Sequence, residues 1–193
     1  MAFNVKKGFS QIEMLATAAI LLLAVGMGLQ GFTSISKAQK TTTGLPAIQE
    51  DCVGIVTMIT DDLKEAPACT ATSGCTTNSV VETANASSIT FYVSSTGTKR
   101  TFRLNNGKFE RIEGNSSTPS YSMSDVTGLT FRYLTIDGGT YNATAMPTSW
   151  ATTVTGTSVK NITVIRVTAV MSRNGIAGTY TTDFRLRNSP YIP

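Results

Sequence analysis

A run of apolar residues near the N-terminus constrains the fold of this chain more than any other feature. No charged residue occurs between Met14 and Ser36, and as a helix this stretch of about 23 residues is roughly 34 Å long, slightly more than a bilayer core. Lys6 and Lys7 precede it. The positive-inside rule therefore predicts a cytoplasmic N-terminus, with the remainder of the chain on the other side of the membrane.

One carboxylate, Glu13, stands at the start of this apolar run, where a charged group costs about 3 kcal/mol. A secretory signal is an alternative interpretation of the segment, because Ala24-Val25-Gly26 resembles a cleavage site made of small residues. An ordinary signal core, however, gains nothing from a glutamate. The position of Glu13 therefore needs a different explanation.

The nine residues "KGFSQIEML", from Lys7 to Leu15, resemble the processing motif of type IV pilins and of the pseudopilins of type II secretion. The resemblance implies that residues 1–8 are a leader peptide and that prepilin peptidase cuts between Gly8 and Phe9. It also implies that Phe9 is N-methylated and that Glu13 becomes the fifth mature residue. In this family Glu13 would pair with the α-amine of a neighbouring subunit, so that two buried charges offset each other's desolvation. Only a correctly staggered subunit would satisfy both groups, so the pair also reports the register between subunits.

The chain after the leader is predicted to contain three segments. Residues 9–36 form the transmembrane and assembly helix, and Gly44 and Pro46 are predicted to break or kink it. An amphipathic helix follows over residues 37–66, and residues 67–193 form a β-rich periplasmic domain. The apolar face of the second helix is predicted from helical spacing to contain Ile48, Cys52, Ile55, Val56, Ile59 and Leu63.

From about Ser88 the apolar residues alternate with a period of two, which predicts antiparallel strands. Asn106-Gly107 and Asn174-Gly175 mark two tight hairpin turns. The predicted fold class is α+β and pilin-like, with the long N-terminal helix packed on an antiparallel β-sheet. The residues expected on the inward face are Phe102, Leu104, Leu129, Phe131, Tyr133, Ile165, Val167, Ala169, Met171, Phe184 and Leu186.

An arginine face is predicted on the other side of the sheet. This face is expected to meet water or another subunit, and DNA is an alternative partner because phosphate contacts need clustered basic groups, with Lys99 and Arg100 contributing. Two of the formal net charges of +4 are Lys6 and Lys7, which leave with the leader, so the basic pI is weak support for DNA. The arginines of the face are Arg103, Arg132, Arg166, Arg185 and Arg187.

The three cysteines bear on the stability of the fold and on the cellular compartment in which it forms. A bridge between Cys69 and Cys75 would close a very short loop, stabilise the fold by about 2–3 kcal/mol and require an oxidising compartment. Cys52 falls in the helical pattern and is expected to be a small buried apolar residue. Three single pairings are open to three cysteines, and the sequence does not choose between them.

The composition argues against common catalytic chemistry. The chain has no histidine, which excludes His-based triads and His-ligated zinc sites. Asp61 and Asp62 point about 100° apart on a helix and are interpreted as a solvated face, not as an acid–base pair. Asp137-Gly138-Gly139 is interpreted as a hairpin turn, because it lacks the acidic spacing of a calcium loop. No catalytic residue, metal site or cofactor is predicted.

Four further stretches, "DDLKEAP", "LTFRYLTIDGG", "VIRVTAVMS" and the closing "FRLRN", resemble minor pilins of the PilW type and the related J-type minor pseudopilins. This implies a structural protein of the inner membrane that is not an enzyme. Its implied partners are prepilin peptidase, other minor and major pilins and the inner-membrane assembly platform, and its implied role is to prime or cap a type IV pilus. A minor pseudopilin of type II secretion and a non-polymerising membrane-anchored adhesin are the alternatives.

Overall fold

The computed structural model describes residues 11–69, 79–136 and 149–187. A single long helix, α1, comprises Gln11–Glu65, and the chain divides into two compact units, Met1–Thr43 and Gly44–Pro193. The second half of α1 belongs to the second unit together with every strand. The strands are β1 (Val81–Ala84), β2 (Ser88–Tyr92), β3 (Lys99–Asn105), β4 (Lys108–Glu113), β5 (Tyr121–Met123), β6 (Val126–Thr135), β7 (Ile162–Arg173) and β8 (Ile176–Arg185), with a 3-10 turn at Gly156–Asn161 before β7.

The predicted break of the helix is absent, because α1 continues through Gly44 and Pro46. A proline inside a helix removes one backbone hydrogen bond and crowds the carbonyl four residues earlier. The apolar face that follows compensates, since tertiary packing supplies most of the stability of a helix in a protein. The boundary between the two compact units nevertheless falls close to the proline, between Thr43 and Gly44.

The apolar face predicted for the second half of α1 is confirmed. Each of its six residues is at most 1% exposed, and all six belong to the main core cluster. Burying an aliphatic side chain of this size contributes about 1.5–3 kcal/mol. This half of the helix is therefore held by its packing against the strands.

The described strands form two antiparallel sheets, where one had been predicted. The first sheet has the order β1-β2-β3-β4-β5, and the second has the order β6-β7-β8. Asp125, in the short link between β5 and β6, has a positive φ of 66°, which allows an abrupt change of chain direction. After this turn, β6 pairs with β7 and not with a strand of the first sheet. The α+β class is thus confirmed, with a second sheet added.

The two predicted hairpin turns are confirmed. Asn106 and Gly107 have φ values of 49° and 72° and join β3 to β4, while Asn174 and Gly175 have 54° and 78° and join β7 to β8. Two successive positive φ angles are the signature of a type I′ turn, which matches the twist of antiparallel strands. The short strands β1 and β5 were not predicted, since three or four residues carry too little alternation.

The core lies in the second unit, among α1 and the inner faces of both sheets. The predicted inward residues are buried, except that Leu104 is only partly buried. The rings of Phe91, Phe102 and Phe109 stack in sequence with centroids 5.7 and 5.6 Å apart. The hydroxyl of Tyr133 donates to the carbonyl oxygen of Asn85 at 2.9 Å and thereby ties the two sheets together, and burial raises the pKa of this phenol.

Candidate functional site

The predicted processing and assembly residues lie at the start of the chain. Gly8 and Phe9 fall outside the described residues, so the processed bond stays a prediction. Glu13 belongs to α1, two positions after its first residue, Gln11, and only its backbone is described. A positive partner for the Glu13 carboxylate therefore also stays a prediction.

The first half of α1 exposes apolar side chains in every direction. Their exposed fractions range from 52% for Val25 to 79% for Ile12. A helix that is apolar all round is buried in a membrane or between other helices. By length and composition α1 can cross a membrane, and none of its most apolar stretch is buried against the described residues. The large exposed side chains are Ile12, Met14, Leu15, Ile20, Leu21, Leu22, Leu23, Val25, Met27, Leu29, Phe32 and Ile35.

Hydroxyl groups on this half of the helix bond to the helix itself. Thr33 Oγ1 and Ser34 Oγ each donate to the carbonyl oxygen of Gln30 at 2.9 Å, and Thr42 Oγ1 donates to that of Ala38 at 2.8 Å. Hydrogen bonds of this kind satisfy polar groups that would otherwise be costly to place in hydrocarbon. The hydroxyls are therefore compatible with an apolar environment.

Four charged side chains from α1, β3 and β4 form an ion-pair network. Arg100 Nη1 lies 2.7 Å from Asp62 Oδ1, and its Nε lies 2.9 Å from Glu113 Oε1. Arg111 Nε lies 2.8 Å from the same Glu113 oxygen and 3.9 Å from Asp62 Oδ2. Arg100 and Asp62 are only 16% and 21% exposed. The network therefore fastens the end of α1 to the first sheet.

The charges within this network balance, with two arginines for two carboxylates. Burial acts to raise the pKa of Glu113, but hydrogen bonds and charge from Arg100 and Arg111 outweigh it and hold that pKa below its ordinary value. Asp62 Oδ2 is buried and accepts no hydrogen bond from the described residues. This carboxylate thus depends on its Oδ1 contact with Arg100 and on the more distant Arg111 for compensation.

The interpretation of Asp61 and Asp62 as one solvated face is wrong for the second residue. Asp61 is exposed and its Oδ1 lies 3.8 Å from Nζ of Lys64. Asp62 is only partly exposed, because adjacent helical positions point about 100° apart and its direction faces the sheet. The two carboxylates are therefore separate, as expected, but only one is solvated.

The predicted arginine face is divided between the two sheets. Arg103 belongs to β3, where its Nε lies 2.7 Å from Glu110 Oε2. On the second sheet, Arg166 on β7 binds Asp183 with two nitrogen–oxygen contacts of 2.7 Å, and Arg132 is its neighbour on β6. These carboxylates offset part of the positive charge that phosphate binding requires. DNA binding therefore stays a prediction, and less net positive charge on this face supports it.

A tryptophan covers one of these arginines. The guanidinium carbon of Arg166 lies 4.2 Å from the centroid of the Trp150 ring, a cation–π geometry. The hydrogen bond from Arg166 lowers the pKa of Asp183. The sequence showed no pattern around Trp150, since a contact between distant segments leaves no local signal.

The described cysteines have different states. Cys52 is a free thiol and is fully buried, with Sγ 3.6 Å from the carbonyl oxygen of Gly178. Burial raises the pKa of this thiol, which makes it unreactive because the thiolate is the nucleophile. Cys69 is disulfide-bonded. Its predicted partner, Cys75, lies outside the described residues, so that pairing stays a prediction.

No group of three histidine, cysteine, aspartate or glutamate residues that could hold a metal ion occurs among residues 11–69, 79–136 and 149–187. Asp137 of the predicted hairpin turn lies outside these ranges. Comparison of the chain with protein-family models and with curated proteins finds no match.

Proposed function

We propose that this chain is a minor pilin, cut by prepilin peptidase between Gly8 and Phe9, that joins other pilins to prime or cap a type IV pilus. The observation that carries the proposal is the contrast within α1. Its first half exposes apolar side chains on all sides, and its second half contributes a buried face to a β-rich domain. One helix thus supplies both a segment that requires an apolar environment and part of a domain core.

The apolar side chains of the exposed half of α1 require an apolar environment. Before assembly, lipid would cover these side chains, with the N-terminus in the cytoplasm and the domain in the periplasm. In a filament, the equivalent helices of neighbouring subunits would replace the lipid. Gly26, Gly28 and Gly31, where an added Cβ would meet nothing within 4 Å, would let such helices approach closely.

Glu13 has a defined role in this proposal. Its carboxylate would pair with the α-amine of a neighbouring subunit, and each charge would offset the desolvation of the other. A correctly staggered neighbour satisfies both groups, whereas a misplaced one leaves two unpaired charges in an apolar environment. The pair would therefore select the register of assembly.

The first prediction concerns this carboxylate. Glu13→Ala is expected to reduce the amount of protein in sheared filaments at least tenfold while leaving the amount in the membrane fraction unchanged. Gln11→Ala is the matched control, because it removes a polar side chain from the same end of α1 without removing a charge. Normal incorporation of Glu13→Ala would contradict the assembly role and favour a membrane-anchored module that does not polymerise.

Mass spectrometry of the mature N-terminus tests the processing step independently. The proposal expects a chain that begins at an N-methylated Phe9. A chain that keeps Met1, or one that begins after Ala24, would contradict it. The protein can then be cross-linked to its neighbours and purified. The subunits that co-purify with it distinguish a type IV pilus from the pseudopilus of type II secretion.

A further inference from the structure

One polar side chain, that of Gln30, stands well inside the apolar half of α1. The run from Met14 to Ser36 contains no charged residue and no other carboxamide. Gln30 follows Val25, the midpoint of this run, by about five residues, which places it about 7.5 Å along the helix from the centre. The hydrocarbon core of a bilayer extends about 15 Å to each side of its own centre. In a helix that crosses the membrane, Gln30 therefore lies within the hydrocarbon.

The helix satisfies the hydroxyl groups next to Gln30 but not its carboxamide. Thr33 Oγ1 and Ser34 Oγ both donate to the backbone carbonyl oxygen of Gln30, each at 2.9 Å. The side chain of Gln30 is exposed, and none of the residues that the structure describes hydrogen-bonds its carboxamide. This group has two N–H donors and an acceptor oxygen, and leaving them unpaired in hydrocarbon is costly. The carboxamide therefore needs a partner from outside α1.

The helix face around Gln30 leaves room for a second helix. Residues four positions apart lie on the same face, so Gly26 precedes Gln30 by one turn and Ser34 follows it by one turn. A Cβ added at Gly26 would meet nothing within 4 Å, and the hydroxyl of Ser34 is bonded to the helix backbone. Membrane helices associate where small residues allow close approach and polar side chains hydrogen-bond across the contact. The small neighbours of Gln30 thus make its carboxamide accessible to another helix.

Given the proposed membrane location of the first half of α1, on which this inference rests, we propose that the Gln30 carboxamide hydrogen-bonds to the transmembrane helix of another subunit. The partner side chain, at the same depth, is a carboxamide or a hydroxyl, because only a group that both donates and accepts satisfies the N–H and C=O groups together. Lipid tails offer neither function. The side chain also does not reach the nearer membrane surface, which lies beyond Ser36, because Cα–Cβ bonds tilt toward the helix N-terminus.

This contact adds a second polar anchor to the one proposed for Glu13. The two residues are about 25 Å apart along a helix that rises 1.5 Å per residue. A single polar residue in an otherwise apolar helix contact is enough to select a register, because every other alignment leaves it unpaired. Anchors at two depths restrict both the sliding and the rotation of one helix against the other.

The test uses the full chain in membranes of its native host, with a photoreactive amino acid in place of Met27. Met27 is 69% exposed and lies about 60° from Gln30 around the helix. Light is expected to join it to a transmembrane helix whose cross-linked peptide contains Asn, Gln, Ser or Thr. Phe32 is the matched control position, because it is 70% exposed but lies about 160° from Gln30. Cross-links from Phe32 should not depend on Gln30.

Substitutions at Gln30 then test the hydrogen bond itself. Gln30→Leu should lower cross-linking from Met27 about fivefold or more, because it keeps apolar bulk and removes the carboxamide. Gln30→Asn keeps the carboxamide and should retain most of the cross-linking. Replacing the partner's polar residue by leucine should give the same loss, with no further decrease when it is combined with Gln30→Leu.

The outcomes separate this contact from the proposed function. The contact is refuted if Gln30→Leu cross-links normally, if the Met27 product contains only lipid, or if the two leucine substitutions act additively. Normal cross-linking of Gln30→Leu together with loss of Glu13→Ala from filaments would refute the contact and leave the proposed function intact. A chain absent from carbonate-washed membranes would contradict the membrane location, and the contact with it.

Discussion

Adjacent residues of one helix can have very different surroundings, and for charged side chains this difference has the largest effect on stability. Asp61 is solvated, while the next residue, Asp62, is clamped by Arg100 in a site where both side chains are about one-fifth exposed or less. Exposed ion pairs contribute little to stability, because water and salt screen them. A pair removed from water behaves differently, since loss of one partner leaves the other charge uncompensated.

A prediction at this scale follows from the ion-pair network. Arg100→Met, which keeps an apolar stem of similar length, should lower the free energy of unfolding by about 1–3 kcal/mol. The loss arises because Asp62 and Glu113 both lose a partner. Urea denaturation in detergent, followed by the fluorescence of the single tryptophan, measures the change.

Arg166→Met is the control for this experiment. Arg166 also binds a carboxylate with good geometry, but it and Asp183 are 36% and 42% exposed. Its removal should therefore change stability much less than the removal of Arg100. Equal effects of the two substitutions would show that the location of the network beside the core is unimportant.

At the scale of elements, the contact between α1 and β8 is limited by the size of one residue. A Cβ added at Gly178 would lie 2.7 Å from Cγ2 of Ile48, closer than two carbon atoms can approach. The colliding methyl group is attached directly to the branched Cβ of Ile48, so rotation cannot move it far. The absence of a side chain at Gly178 therefore sets how closely helix and strand pack.

Two glycine-to-alanine substitutions test this contact. Gly178→Ala should destabilise the protein by about 1–3 kcal/mol, as overpacked cores do. Gly54→Ala, on the exposed side of α1 with nothing within 4 Å of the added Cβ, should stabilise it by about 0.5–1 kcal/mol. Thermal unfolding curves compare the two variants, and a stabilising Gly178→Ala would refute the steric argument.

At the scale of the whole molecule, the described core belongs entirely to the second compact unit. The buried hydrophobic residues extend from Ile48 to Leu186, and the units divide between Thr43 and Gly44. The large apolar side chains of the first unit are exposed. The buried core and the exposed apolar side chains thus belong to different parts of the chain.

A truncation tests this division. A chain that begins at Gly44 should remain folded, with an unfolding free energy within about 1 kcal/mol of the full chain, because surface changes distant from the core have small effects. Pro46 would then lie in the first turn of the helix, where proline is tolerated. The truncated chain should be found in the soluble fraction after membranes are sedimented. An unfolded or membrane-bound product would contradict the division.

Stability of the whole molecule should also depend on acid pH. Arg103 lowers the pKa of Glu110, Arg166 lowers that of Asp183, and the arginines of the network lower that of Glu113. Groups with a lowered pKa stabilise the fold above their unfolded pKa and lose this contribution as the pH falls through their folded pKa. The free energy of unfolding should therefore decline below pH 4.5, the ordinary glutamate value.

Urea titrations at several pH values below neutral measure this decline. Glu110→Gln should make it shallower, because one proton-linked carboxylate is removed. Lys99 behaves in the opposite sense, because its hydrogen bond to Glu82 raises its pKa above the ordinary value of 10.5. The contribution of Lys99 to stability is lost only as the pH rises through that raised pKa. A stability that stays constant down to about pH 3 would contradict the assignment of these carboxylates.

Much of the fold could be predicted because its signals are local. Helical spacing identified the six buried apolar residues of the second half of α1 but not the buried Thr60, and two Asn-Gly pairs identified their hairpins. The break at Pro46 was predicted wrongly, because a residue's local preference against helix is weaker than the packing of the residues that follow it. For the candidate site, the sequence located the apolar half of α1, while the roles of Gly8, Phe9 and Glu13 remain predictions.

By itself the sequence determined an apolar helix long enough to cross a membrane, the buried face that continues it, and the main strands. Each is encoded in a spacing of a few residues, and burial of apolar surface acts on that spacing directly. Only the tertiary structure decided that the described strands form two sheets, that Asp62 turns toward Arg100 and Arg111, and that Trp150 covers Arg166. These features depend on which distant segments meet, and contacts between distant segments leave no periodic trace in the chain.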